Sequence, residues 1–253
     1  MAEPSETIKA HDKYALPFTF SKDGNLLYSG GFDGRLTAWQ VDNWSEIAST
    51  QAHEQSINCG AMTSQNSVVT GSTDSTLGVW LADLSERVTT LTEHKKTVAA
   101  LANHPEKPLV ASASYDTSVR IWNLEQDDPP TVLEGHDRNV TAVRFANEGS
   151  ILLSGGIGDE IVVWTVDDGE ELTRLPGHGK AVSGITVGNE SQIWSVGYDG
   201  EVHHWSTEDW TALSSFQLPG EQTPTGIAVN QHTGDIAVTR DGGALVLNAD
   251  GEV

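Results

Sequence analysis

One cysteine, Cys59, is all the thiol that 253 residues contain. A lone thiol excludes an internal disulfide and any thiolate metal cluster. Its setting, SINCGAM, predicts a small buried hydrophobe. Basic residues are scarce as well: seven lysines and seven arginines stand against 36 acidic residues, for a formal charge of -22. That balance repels nucleic-acid phosphates and anionic membranes, so neither is expected as a partner. It fits two situations, an ordinary acidic cytosolic protein or one kept soluble in concentrated salt, where screening removes the self-repulsion. Unfolding followed from low to molar potassium chloride separates them: the halophilic reading requires stability to rise with salt, and a loss ends it. Long hydrophobic runs are missing too. No stretch approaches the roughly 18 consecutive apolar residues of a membrane span, and MAEPSETIKAHDK lacks the apolar centre of a secretory signal. The expectation is a soluble, cytoplasmic protein.

What the chain does contain is turns and a period. Its 25 glycines are spread singly among Asp, Asn and Ser, which predicts many tight turns and many short strands. Trp39, Trp80, Trp122, Trp164 and Trp205 follow one another at steps of 41, 42, 42 and 41 residues, and Leu247 holds the next slot. Six residues before each slot stand Asp33, Asp74, Asp116, Gly158, Asp199 and Asp241. Ten before stand Ser29, Thr70, Ser112, Ser154, Ser195 and Ala237. Upstream lie His11, His53, His94, His136 and His178, with Glu221 in the sixth copy. A period of about 40–45 residues with this signature marks four-stranded propeller blades.

The sequence resembles the WD-repeat (WD40-type) β-propeller family from about residue 5 to 253. LEGHDRNVTAVRF and LPGHGKAVSGITV carry the Gly-His turn. RIWNL and VVWTV stand where the family has its Trp-Asp ending, although Asn123 and Thr165 replace the Asp. The resemblance implies that in each blade the Trp indole donates to the Ser/Thr hydroxyl, the hydroxyl to the His ring, and the His to the Asp in the turn between strands b and c. These side chains are then internal structure, and Ser112, His94 and Asp116 are not a catalytic triad, because the same hydroxyl is committed to an indole blade after blade.

The fold class expected is all-β: a six-bladed propeller forming a single domain over residues 5–253. Its repeats are 11–52, 53–93, 94–135, 136–177, 178–220 and 221–253. The sixth shows only three strands, GIAVN, DIAVT and ALVLN, and residues 5–10, with ETIKA, are expected to supply the fourth, so that no sheet edge stays open. A seven-bladed ring completed by a partner is the structural rival. Two copies depart from the pattern. Gly158 takes the place of the acid, with Asp159 one residue late, so the fourth blade should lose the partner of His136 or shift its turn. The sixth blade lacks the whole network.

The resemblance also implies a binding platform, with the d-to-a and b-to-c loops on the top face. Just before each turn acid lie Phe32, Thr73, Tyr115, Ile157, Tyr198 and Arg240. Aromatic side chains and arginine there fit a protein-binding hot spot. Two residues after the loop histidines come Lys13, Gln55, Lys96, Arg138 and Lys180, with Gln222 in the sixth slot. By contrast, fifteen acidic residues fall in the c-to-d connections, from Asp42 to Glu252. The molecule should be electrically polar, and an acidic peptide segment is the expected visitor to the top. Trp44 and Trp210, five residues after structural tryptophans, either cover an outer strand or stand exposed; packing is the expectation.

Chemistry is otherwise sparse. His203 and His204 are adjacent in a strand and point to opposite faces, so they cannot chelate one ion together. GGIGDE precedes a strand rather than opening a helix, and no phosphate loop exists. No catalytic residue, metal site or cofactor is expected. The preferred function is a noncatalytic scaffold, a monomer or a subunit of a larger complex, that binds protein or peptide through its top face. The alternative is a six-bladed propeller enzyme or small-ligand binder using the central channel.

Overall fold

The computed structural model describes residues 9–188, 192–220, 223–240, 243–248 and 251. Its strands run in simple meanders, one per repeat. The first holds β1 (Ala15–Phe20), β2 (Leu26–Gly31), β3 (Arg35–Gln40) and β4 (Glu46–Gln51); the second β5 (Ile57–Met62), β6 (Ser67–Ser72), β7 (Leu77–Leu81) and β8 (Arg87–Leu91). The third comprises β9 (Val98–Asn103), β10 (Leu109–Ser114), β11 (Val119–Asn123) and β12 (Thr131–Leu133). β13 (Val140–Ala146), β14 (Ile151–Gly156), β15 (Glu160–Thr165) and β16 (Glu171–Pro176) form the fourth. The fifth has β17 (Val182–Val187), β18 (Gln192–Gly197), β19 (Glu201–Ser206) and β20 (Ala212–Gln217). The sixth shows β21 (Pro224–Val229), β22 (Ile236–Arg240) and β23 (Gly243–Leu247). The architecture is a six-bladed β-propeller. The strand expected to complete the sixth blade falls largely outside the described residues. Among those described, no helix is long and apolar enough to cross a membrane.

The chain divides into two compact units, Met1–Leu101 and Ala102–Val253, with the division inside β9. In the first unit the core gathers Tyr28, Leu36, Ile57, Val68 and Trp80. In the second, one cluster holds Leu153, Ile161, Val163, Ile193 and Trp205, and another joins Trp194 and Val196 to Ile236, Val238 and Leu247. Burial follows strand position. The b strands are buried on both faces, as in Ile151–Gly156, whereas d strands such as Arg87–Leu91 and Ala212–Gln217 are mostly exposed. That is why the b strands read as near-continuous runs of apolar and small residues, ILLSGG and LVASAS, and the d strands as mixed polar sequence. Cys59 is half-buried rather than fully enclosed, its Sγ 3.8 Å from the carbonyl of Val98.

Register explains the ten-residue interval between hydroxyl and tryptophan. Each Ser/Thr pairs with the residue eight further on: Ser29 with Thr37, Thr70 with Gly78, Ser112 with Arg120, Ser154 with Val162 and Ser195 with His203. The tryptophan two residues later shares that face and reaches the hydroxyl diagonally. A register shift recurs where the c strand arrives at its indole, between Ala38 and Trp39, Val79 and Trp80, Val163 and Trp164, and His204 and Trp205. Bulges of this kind bend a strand and re-aim a side chain.

Candidate functional site

The four-part network that the resemblance implies is present in the first, second and fifth blades. In the first blade the Trp39 indole N–H donates to Ser29 Oγ (2.9 Å), that hydroxyl meets His11 Nε2 (2.9 Å), and His11 Nδ1 meets Asp33 Oδ1 (3.1 Å). The second repeats it through Trp80, Thr70, His53 and Asp74 at 3.2, 2.8 and 3.0 Å. In the fifth, Trp205 donates to Ser195 (3.0 Å), Ser195 meets His178 (2.8 Å), and His178 Nδ1 lies 3.4–3.5 Å from Asp199. In the third, Trp122 donates to Ser112 Oγ (2.8 Å), Asp116 accepts the Ser118 hydroxyl (2.7 Å), and His94 is buried.

Burial opposes the charged form of Asp33, Asp74 and Asp199, but hydrogen bonds and the adjacent imidazoles outweigh it and hold all three below the usual carboxylate range. Bonds from the amides of Arg35 and Asp12 act on Asp33, the hydroxyl and amide of Thr76 on Asp74, and the amides of Glu201 and Gly179 on Asp199. Burial pulls the opposite way on His53 and His178 and lowers both, partly offset by the facing carboxylate.

The fourth blade both loses the carboxylate and shifts its turn. Trp164 still donates to Ser154 (2.8 Å) and Ser154 still meets His136 Nε2 (2.7 Å), but no carboxylate bonds His136 Nδ1 among the described residues. Burial, with the Arg174 charge nearby, pushes the His136 pKa down to about 4. In the sixth blade Glu221 and Asp241 lie outside the described residues, and Leu247 fills the indole's slot as a buried apolar side chain.

Phe32, Thr73, Tyr115, Ile157 and Tyr198 lie in the b-to-c loops and Lys13, Lys96, Arg138 and Lys180 in the d-to-a loops, whereas Arg240, expected in a loop, is the last residue of β22 and pairs with Pro224 and Gly243. Phe32, Tyr115, Ile157 and Tyr198 are 39, 37, 44 and 47% exposed, large side chains left in solvent at a turn where a polar residue would serve. Thr73 and Arg240 are half-buried. The Thr73 hydroxyl pairs with the Asn58 side chain (3.0 Å), and Arg240 donates to the carbonyl of Pro219 (2.7 Å). Lys13, Lys96, Arg138 and Lys180 are exposed. Sequence reasoning passed over Tyr14, 79% exposed and edge-on to Phe32 with ring centroids 5.7 Å apart. Its place beside Lys13 in the d-to-a loop was the available signal. It also passed over Arg174, which grips Glu171 through two bonds of 2.8 Å and Glu160 at 3.2 Å.

The paired histidines part company as strand geometry demands. His203 bonds Glu201 (3.0 Å) and stacks on Trp205, whereas His204 lies flat on Trp194 at 3.9 Å. Among the described residues no group of three or more His, Cys, Asp or Glu side chains is placed to hold a metal ion. Trp44 and Trp210 are both half-buried at positive φ in c-to-d turns, and Trp210 packs on the core of the fourth and fifth blades.

Repeated meanders bound together by an indole, hydroxyl, imidazole and carboxylate define a structural propeller of the WD type. Residues 2–40, 44–80, 85–123 and 128–165 match the WD domain, G-beta repeat, together more than half of the chain, and the protein belongs to that family. It is 29% identical to coatomer subunit beta'-2 of Arabidopsis thaliana over 108 residues, 41% of this chain and 12% of that protein. To an uncharacterized WD repeat-containing protein of Schizosaccharomyces pombe it is 30% identical over 104 residues, 37% of this chain and 22% of that one. The matches thus span less than a quarter of either relative's length.

Proposed function

We propose that this chain is a noncatalytic scaffold whose top loops recognise a protein or peptide, with acidic segments favoured. The observation that carries the reading is the exposure of Phe32, Tyr115, Ile157 and Tyr198 at one repeated turn position. Aromatic side chains offer much contact area at little entropic cost. The exposed cations Lys13, Lys96, Arg138 and Lys180 in the neighbouring loops would steer an acidic partner, while the acid-rich c-to-d loops repel it. One relative is, by name, a subunit of a larger assembly, which suits an interaction role.

The reading includes one domain over residues 5–253 closed by a strand at 5–10. Three family matches start just ahead of a d strand, at residues 44, 85 and 128, before β4, β8 and β12. A match starting at residue 2 supports the same role for ETIKA.

Affinity capture from cytosol tests the function. A Phe32→Ala, Tyr115→Ala, Tyr198→Ala triple variant is expected to lose the proteins that wild type retains, by tenfold or more. An unchanged captured set would mean that recognition lies elsewhere.

A further inference from the structure

In three blades the turn carboxylate, besides accepting from its own turn, accepts from two donors of the histidine loop. Besides the His Nδ1, it accepts the amide N–H of the residue after that histidine: Asp12 to Asp33 (3.1 Å), Glu54 to Asp74 (3.2 Å) and Gly179 to Asp199 (2.6 Å). The fourth blade keeps both donors, His136 and the amide of Asp137, and has Gly158 in place of the acid. Among the described residues neither donor has an acceptor on this side.

Asp159 does not take over. Elsewhere the residue after the acid sits at positive φ (Gly34 77°, Ser75 73°, Thr117 74°, Gly200 80°), and its amide closes the turn onto the end of the b strand at 3.0–3.3 Å. Asp159 has neither feature, and its carboxylate is exposed without a bond among the described residues.

His136 and Asp137 line a cleft of about 550 Å³ together with the cations Arg138, Arg174 and Lys180, the acids Asp159 and Glu160, and Ile157. Arg174 is committed to Glu160 and Glu171, whereas Arg138 and Lys180 stand exposed at the rim and carry no ion pair among the described residues. Ile157, 44% exposed, supplies an apolar wall.

We propose that this cleft receives an Asp or Glu side chain of a bound acidic peptide, which takes the place of the missing turn acid by accepting from His136 Nδ1–H and the Asp137 amide, with Arg138 and Lys180 flanking it. The proposal rests on the top-loop reading above and locates one of its contact points. A carboxylate is the fitting guest because its siblings show the same donor pair holding one.

The probe is a capped, amidated peptide with one glutamate between apolar residues, titrated into ¹⁵N-labelled protein while the His136 imidazole and Asp137 amide signals are followed. Its glutamine counterpart and sodium acetate are the comparison ligands. The glutamate peptide is expected to move both signals at concentrations at least tenfold lower than either comparison. Equal response to glutamine overturns the proposal, and equal response to acetate overturns the peptide assignment in favour of a free carboxylate.

Exchanging two neighbours, Gly158→Asp with Asp159→Gly, leaves composition and charge unchanged and writes the sequence of the fifth-blade turn into the fourth. A Cβ at Gly158 meets nothing within 4 Å. This variant is expected to melt higher than wild type and to bind the peptide at least tenfold more weakly. A higher melting temperature with undiminished binding overturns the proposal. Should the exchange not fold, Arg138→Ala with Lys180→Ala, both exposed positions, decides: a fivefold or greater loss of affinity supports the site, and no loss overturns it. None of these residues is among those changed in the capture experiment, so failure here and failure of the broader reading are separately visible.

Discussion

Replacing Ser195 with alanine is expected to cost about 2–4 kcal/mol of stability. Ser195 is fully buried and serves two neighbours, the Trp205 indole at 3.0 Å and the His178 ring at 2.8 Å, themselves nearly inaccessible. Each neighbour left without a partner costs about 1–3 kcal/mol, because water cannot reach it to compensate. The control is Ser214→Ala on the exposed d strand, whose hydroxyl makes only a 3.5 Å contact with His204. It should stay within about 0.5 kcal/mol of wild type. Urea unfolding of both variants, compared through midpoint and slope, reads the difference. A Ser195→Ala cost no larger than the control's would show that the network is geometric ornament rather than a source of stability.

Acid should weaken the protein in two stages, the first at unexpectedly mild pH. His136 has a pKa lowered from 6.5 to about 4 by burial and by the Arg174 charge. Once unfolded, the ring takes up a proton near pH 6.5; folded, it resists until about pH 4. Between those values the unfolded chain binds more protons, so stability is fully present above about pH 6.5 and is lost progressively as pH falls to about 4. The shift corresponds to about 3 kcal/mol. His53 and His178, lowered in the same direction, add to this stage. The second stage belongs to Asp33, Asp74 and Asp199, whose folded pKa values lie below 3.8; their contribution persists down to the ordinary carboxylate range and disappears as pH falls through the folded values. Unfolding free energies measured from pH 8 to 4, with the His136 ring titrated by NMR, check the order. A flat profile between pH 7 and 4.5 would contradict it.

The Gly158 exchange and the acid profile converge on one residue. His136 is the loop histidine that keeps its hydroxyl partner but faces a turn with no acid, and a carboxylate restored there, by the exchange or by a peptide, should raise its pKa and soften the first acid stage. Salt dependence and partner capture probe different features, the overall charge and the aromatic turn positions.

Much of the architecture was legible because it is written in intervals. Ser154 to Trp164 spans ten residues because the strand partner lies eight away and the indole one pleat further, so the interval encodes register directly. ILLSGG coincides with β14, and the loss of an acid at Gly158 already pointed to an altered fourth blade. The pairing of Arg174 with Glu160 was not legible, since residues fourteen apart meet only once β15 and β16 lie side by side. Nor was the half-buried state of Cys59, which depends on how β5 packs beside β6 and Val98.

By itself the sequence determined the number of repeats, the residue at each repeated position and the turn position that carries aromatic side chains, because all three depend on short-range periodicity that strand geometry converts into fixed contacts. Only the tertiary structure decided that Asp159 does not replace the missing acid and that His136 and Asp137 line a cleft. Those outcomes turn on the backbone conformation of a single turn and on what neighbouring strands leave around it, and neither is set by spacing along the chain.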